Sequence, residues 1–264
     1  MLDKITINPE WQSSSLEAMP VLNGDQVHLW RVLLNITAQQ TQACLEWLNE
    51  TQRAKYAKRR NEQLKSSYIA GRYYLYRLLS AYAQTKPSEI DLEYSRLSKP
   101  RLKHAGATLR FNFTDTLFSD SNNQTKSVGL FAFSLTSELG VDLEALSRKG
   151  NFSDIVARRF TPHEQQFVTK ENGEIDPELF LSLWTRKEAS GKATGQGINF
   201  KMNQRGLIDD NAAVQRYIDE KQNNWMLHQL RICDSLVGCL VHEGHAPLTL
   251  KTYTIEDNQI ATKP

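Results

Sequence analysis

Two short runs place four side chains at the spacing that phosphate chemistry needs. Asp142 and Glu144 stand two apart in Gly140-Val141-Asp142-Leu143-Glu144, and Glu188 precedes Lys192 by four in Trp184-Thr185-Arg186-Lys187-Glu188-Ala189-Ser190-Gly191-Lys192. Alternation along a strand puts Asp142 and Glu144 on one face and Val141 and Leu143 on the other. Same-face neighbours lie about 6.5 to 7 Å apart, within reach of one ion directly or through water. Gly140 would let a ligand approach the backbone. Helical spacing gives Glu188 and Lys192 a common face, with Trp184 one turn earlier. Each pattern alone suits a solvated strand face or a surface ion pair equally well. Together, three carboxylates without a neighbouring histidine or cysteine suit a hard cation, magnesium before zinc, with Asp142, Glu144 and Glu188 as its ligands. Lys192 would neutralise a phosphoryl group or protonate a departing oxygen.

The anion to match that cation points to the one strong charge run. Arg53, Lys55, Lys58, Arg59, Arg60, Lys65, Arg72 and Arg77 face a single acid, Glu62, between residues 53 and 77. Interleaved tyrosines, Tyr56, Tyr68, Tyr73, Tyr74 and Tyr76, also fit a nucleic-acid surface, and any one of these cations could belong to a solvated helix face. A small polyphosphate ligand fits the acid cluster better. Gly191 to Gly197 matches no phosphate-loop pattern, so its glycines are assigned to a helix stop. His163, His228, His242 and His245 lack ligand spacing and read as structural or surface residues.

The supporting elements follow from pattern and punctuation. The chain has 264 residues, 40% hydrophobic and 23% charged, with a net charge of +2, so no overall field attracts nucleic acid or a membrane. Three cysteines without metal-site spacing read as free thiols in a reducing compartment. The start lacks a signal peptide's features and no apolar run is long enough to span a bilayer, so a cytoplasmic protein is expected. Residues 1–26 read as a loosely held tail, 27–125 as an N-terminal lobe and 126–264 as a C-terminal lobe. A strand over Val27 to Leu33 is expected, then helices over Thr37 to Ala54 and Leu64 to Tyr82. Ser127 to Leu135 and Glu138 to Glu144 read as a hairpin. Thr161-Pro162-His163-Glu164 opens a helix, and Pro177 opens a longer one running to about Thr194. Three antiparallel strands are expected over Trp225 to Cys233, Leu236 to Glu243 and Pro247 to Thr254. The fold class is α+β, with two similar-sized lobes and no sequence repeat strong enough to demonstrate.

In residue type, order and spacing, these two runs resemble the signature of the surfactin-type (group II) 4'-phosphopantetheinyl transferases. Weaker features agree over roughly residues 27–250: Val27-His28-Leu29-Trp30-Arg31-Val32, Glu50 with Arg53, Gly71 to Arg77, Ser98-Lys99-Pro100-Arg101-Leu102, Phe111-Asn112, and Phe160-Thr161 with Glu164. The resemblance implies a pseudo-dimer of two α+β lobes with the active site in the cleft between them. It implies transfer of the 4'-phosphopantetheine arm of coenzyme A to a serine of an apo acyl- or peptidyl-carrier protein, releasing 3',5'-ADP. Magnesium would be held by Asp142, Glu144 and Glu188, Glu188 would deprotonate the carrier serine, and Lys192 would assist the leaving group. Arg53, Lys65, Lys99, Pro100, Thr114 and Asp115 fall at coenzyme-contact positions, and a monomer is expected.

One position departs from the family. Phe111-Asn112-Phe113-Thr114-Asp115-Thr116 keeps a hydroxyl at Thr114 but has Asp115 where the family has histidine, and a carboxylate there repels phosphate unless it turns to a donor or a cation. Two competing readings follow: a non-catalytic coenzyme A or carrier-protein binding protein, and a magnesium-dependent nuclease. The nuclease reading is weakened by the helical spacing of Glu188 and Lys192.

Overall fold

The computed structural model describes residues 6–94, 99–103, 108–120, 122–197, 204–208 and 213–255. Two sheets pack face to face, and each carries a long helix on its other side. The first half of the chain contributes β2 (Gln26–Leu33), three helices, α1 (Ala38–Trp47), α2 (Glu50–Ala57) and α3 (Glu62–Ala83), a small two-stranded sheet of β3 (Leu92–Tyr94) and β4 (Pro100–Leu102), and then β5 (Arg110–Ser119) and β6 (Thr125–Ser134). The second half repeats the order: β7 (Leu139–Ala145), helices α4 (Ser153–Arg159), α5 (Pro162–Val168) and α6 (Pro177–Thr194), then β8 (Val214–Ile218), β9 (Asn224–Cys233) and β10 (Leu236–Glu243). In both halves the strand preceding the helices pairs antiparallel with the last strand, which pairs antiparallel with the one before it.

Helix boundaries are set by local chemistry. The expected helix over Thr37 to Ala54 is two helices, because Asn49 caps a second one: its Oδ1 accepts from the Gln52 amide at 2.9 Å while Gln52 returns a bond to the Asn49 amide. At the start of α6, Asp176 Oδ1 accepts from the amides of Glu178 and Leu179 at 3.0 and 3.2 Å, and Pro177 occupies the first helical position. Gly195, at φ 69°, ends it in the left-handed conformation.

Three apolar layers organise the molecule. One lies between α3 and the first sheet, around Trp30, Leu75, Leu79 and Phe133. A second lies between α6 and the second sheet, around Phe180, Leu183, Leu227 and Val241. The third joins the two sheets, and Val141 and Leu143 of β7 belong to it together with Leu29, Leu130 and Leu240. Burying Val141 and Leu143 there turns Asp142 and Glu144 towards α6, as the alternation requires.

Three expectations are corrected. Ser127 to Leu135 and Glu138 to Glu144 do not form a hairpin: β6 pairs with β2 and β5 in the first sheet, whereas β7 crosses to the edge of the second. The last strand, β11 (Thr249–Ile255), does not extend the β9–β10 pair but runs parallel to β2 and to β1 (Gln12–Ser14) in the first sheet. Residues 6–25 of the expected loose tail are held, since β1 completes that sheet's edge and Ile7 exchanges backbone hydrogen bonds of 2.8 Å with Gln229 and Arg231 of β9. A polar, charge-mixed segment gave no sign that both sheets offered it an unpaired edge. Among the described residues no helix is long and apolar enough to cross a membrane.

Candidate active site

Helix α6 lies against β7 so closely that only glycine fits at position 140. A Cβ there would stand 2.3 Å from the Ala189 carbonyl oxygen and 2.4 Å from the Ala193 nitrogen. The sequence reading gives Gly140 to an approaching ligand; the structure gives it to the helix. This contact brings Glu188 and Lys192 over Asp142 and Glu144.

Lys192 Nζ donates to Asp142 Oδ1 at 2.7 Å, to Thr114 Oγ1 at 3.1 Å and to the Val141 carbonyl at 3.1 Å. Thr114 Oγ1 in turn donates to Asp142 Oδ1 at 3.3 Å. The first half of the chain thus supplies part of the centre, and Asn112 fixes the register by accepting from the Val141 amide at 2.9 Å. Glu144 pairs with Arg148, which follows it at the end of β7. Burial, then the negative charge of Asp142, pushes both Glu144 and Glu188 up to about 7, and burial also raises Asp142 against the opposing pull of Lys192.

The donor set suits a hard divalent cation. Three carboxylates share one field, and Asp142 Oδ2 is buried without a hydrogen-bond partner. A buried, partnerless carboxylate oxygen is costly unless a cation or proton meets it. As they stand, Lys192 and Arg148 occupy Asp142 and Glu144, and among the described residues no three acidic, histidine or cysteine side chains are already arranged around one ion position. A cation entering here would take over charge that these two bases now balance.

Beside the centre opens a cleft of about 250 Å³, walled by Lys55, Arg72, Lys99 and Lys192 and by Tyr94 and Phe113. Of the expected coenzyme contacts, Lys99 and Pro100 line it and Thr114 sits under Lys192. Arg53 and Lys65 are not on its wall: Arg53 is exposed on α2 and donates to the Leu45 carbonyl at 3.4 Å, and Lys65 stands 5.1 Å from the Tyr56 ring. Asp115 projects from the face of β5 opposite Thr114, where Ser67 Oγ donates to it at 3.1 Å. Among the described residues its carboxylate meets a hydroxyl donor and forms no ion pair, and Ser98 lies outside the described residues.

Arg72 and Lys55 belong to the basic run but not to the expected coenzyme contacts, and both stand on the cleft wall. Arg72 is the more buried of the two. Its guanidinium lies 5.1 Å from the Tyr68 ring and 4.9 Å from the Phe113 ring, and its Nε and Nη1 are buried without a partner. The missed signal was its place on the half-buried stripe of α3, whereas Arg53 to Arg60 stand mostly exposed. Glu164 and Lys187, which belong to the matching runs, form a fully buried ion pair of 2.7 Å that joins α5 to α6. Outside those runs, His228 and His242 stack in the interior at 5.1 Å.

With fold and site in view, comparison with known proteins defines the class. The family model of the 4'-phosphopantetheinyl transferase superfamily matches residues 138–241, which span β7 to β10 and hold Asp142, Glu144, Glu188 and Lys192. The 4'-phosphopantetheinyl transferase HetI of a Nostoc species is 30% identical over 177 residues, covering 67% of this chain and 72% of that protein. A Synechocystis protein, slr0495, provisionally given the same designation, is 30% identical over 183 residues, covering 68% and 70%. The chain belongs to the 4'-phosphopantetheinyl transferase superfamily.

Proposed function

We propose that the chain is a surfactin-type transferase, active as a cytoplasmic monomer, that moves 4'-phosphopantetheine from coenzyme A to a serine of an apo acyl- or peptidyl-carrier protein. The observation that carries this reading is the meeting of Lys192 and Asp142, with Glu188 in their electrostatic field, at one end of a cleft walled by Lys55, Arg72 and Lys99. The repeated order of β2 to β6 and β7 to β10 supports a pseudo-dimer of two lobes with that cleft between them.

Asp142, Glu144 and Glu188 would hold magnesium, which supplies a Lewis acid for the diphosphate charge. Glu188, raised to about 7, is matched to taking the carrier serine's proton near neutral pH. The serine oxygen then bonds to the phosphorus bearing pantetheine, the bond from that phosphorus to the bridging oxygen breaks, and 3',5'-ADP leaves. Lys192 stands to stabilise the charge growing on the departing oxygen. Arg72 and Lys55 face the coenzyme's phosphates, and Phe113 and Tyr94 supply apolar walls.

Protein incubated with coenzyme A, magnesium and an apo carrier should yield a carrier heavier by one phosphopantetheine group. An unchanged mass across acyl- and peptidyl-carriers would sink the reading. Tight coenzyme binding without turnover would instead identify a non-catalytic binder.

A further inference from the structure

Lys99 lines the cleft, yet its ammonium is spent on the protein. It donates to Glu138 Oε2 at 2.7 Å, to the Ala193 carbonyl at 2.9 Å and to the Leu139 carbonyl at 3.1 Å. An ammonium has three hydrogens to give, and these three acceptors among the described residues suffice to take them. Two of these acceptors are informative by position. Ala193 follows Lys192 in the last turn of α6, whose carbonyls have no partner within the helix and favour a cation. Leu139 opens β7, three residues before Asp142. One side chain therefore ties the segment carrying Lys192 to the segment carrying Asp142.

Glu138 makes this burial tolerable. Lys99 is 8% exposed, and a cation so placed is costly without a countercharge. The other oxygen of Glu138 holds Arg101 Nη2 at 2.9 Å and Arg110 Nε at 3.2 Å. The small β3–β4 sheet, β5 and β7 thus converge on one carboxylate.

We propose that Lys99, with Glu138, is a positioning pair that sets the distance between Lys192 and Asp142, and that Lys99 is not a contact for the substrate's phosphates. The proposal rests on the transferase reading for its kinetic consequence only. The pair acts through Lys192, so its loss lowers turnover and leaves the coenzyme's affinity in place. A phosphate contact behaves the opposite way, because a lost charge on the ligand weakens its binding.

The test compares the wild-type chain with Lys99→Met, which keeps the side chain's length and removes its donors. Expected are a kcat at least about tenfold lower, a coenzyme A KM and 3',5'-ADP affinity within about twofold of wild type, and faster amide hydrogen exchange at residues 191–197 and 139–142. A roughly tenfold rise in KM with kcat kept overturns the proposal. If Lys99→Met does not fold, Glu138→Gln decides: kcat about threefold lower with KM unchanged and faster exchange in the same two segments supports the pair, and unchanged kcat and exchange refutes it. If the wild-type chain modifies no carrier, the transferase reading fails separately, and exchange alone judges the pair, with no acceleration in either variant refuting it.

Discussion

The two halves share a strand order but use their long helices differently. Helix α3 buries Ile69, Leu75, Leu78, Leu79 and three tyrosines against the first sheet, as a helix that only supports a sheet should. Helix α6 buries Arg186, Lys187 and Glu188 in the same relative place. Buried charge is unfavourable where an apolar side chain would fit, so a helix that retains it is either paired internally or committed to a ligand. Lys187 is of the first kind, through Glu164. Glu188 is not, since among the described residues no side chain donates a hydrogen bond to it. One half thus buries an apolar helix face and lends basic side chains to the cleft, while the other holds the buried carboxylates.

The sharpest way to break this contrast is to remove charge from α6. Glu188→Gln should lower carrier modification by about a thousandfold, the middle of the range for a lost general base, with the fold intact by circular dichroism. A carrier assay retaining more than a tenth of wild-type rate would move the base elsewhere.

A pair of glycine substitutions tests the helices' seating. Gly140→Ala forces backbone apart, since its Cβ meets Ala189 and Ala193 backbone, and should destabilise the protein by about 3 kcal/mol or more in urea unfolding. Gly71→Ala in α3 meets only the Leu34 side chain at 3.8 Å and should stabilise by about 0.5 to 1 kcal/mol, the usual gain within a helix. Equal effects at both positions would deny that α6 is the more tightly seated helix.

On the basic wall, Arg72→Ala should weaken coenzyme A binding by about tenfold in calorimetry, as expected for a charged donor lost to an anionic ligand. Lys65→Ala, outside the cleft, should change it by less than about twofold. The reverse ranking would return the phosphate site to the outer helix face.

The smallest effect is on pH dependence. Glu144 and Glu188 titrate near 7 in the folded chain against an ordinary value of 4.5. The folded form therefore holds protons that the unfolded form has released between pH 4.5 and 7, and the metal-free protein should lose stability as pH rises through that window. Magnesium should raise the melting temperature more at pH 8 than at pH 5, since its ligands must be ionised. Equal magnesium shifts at both values would remove these acids from the cation's shell.

Much of the second half could be read from the sequence because its signals are local. Pro177 and the glycines from 195 mark α6, and alternation along β7 assigns faces without knowing its partners. Partner choice was not legible. A tight turn between Ser134 and Leu139 suggests a hairpin, but both strands are buried on two faces, and nothing nearby tells β6 to remain in one sheet while β7 joins another. Position 140 was misjudged because glycine reports only that space is short, not what fills it. Arg72 was not distinguished from its neighbours because charge runs are read by density, whereas its place on the cleft wall comes from which side of α3 it occupies.

The return of β11 to the first sheet bears on how the chain is made. Synthesis runs from the amino end, so β2, Val27 to Val32 almost wholly interior in the finished molecule, waits with one flank open until some two hundred later residues have been added. A hydrophobic ribbon left unzipped for that long invites pairing with strangers. Yield of soluble protein should therefore depend on chaperone supply during translation more than the finished fold's stability would suggest.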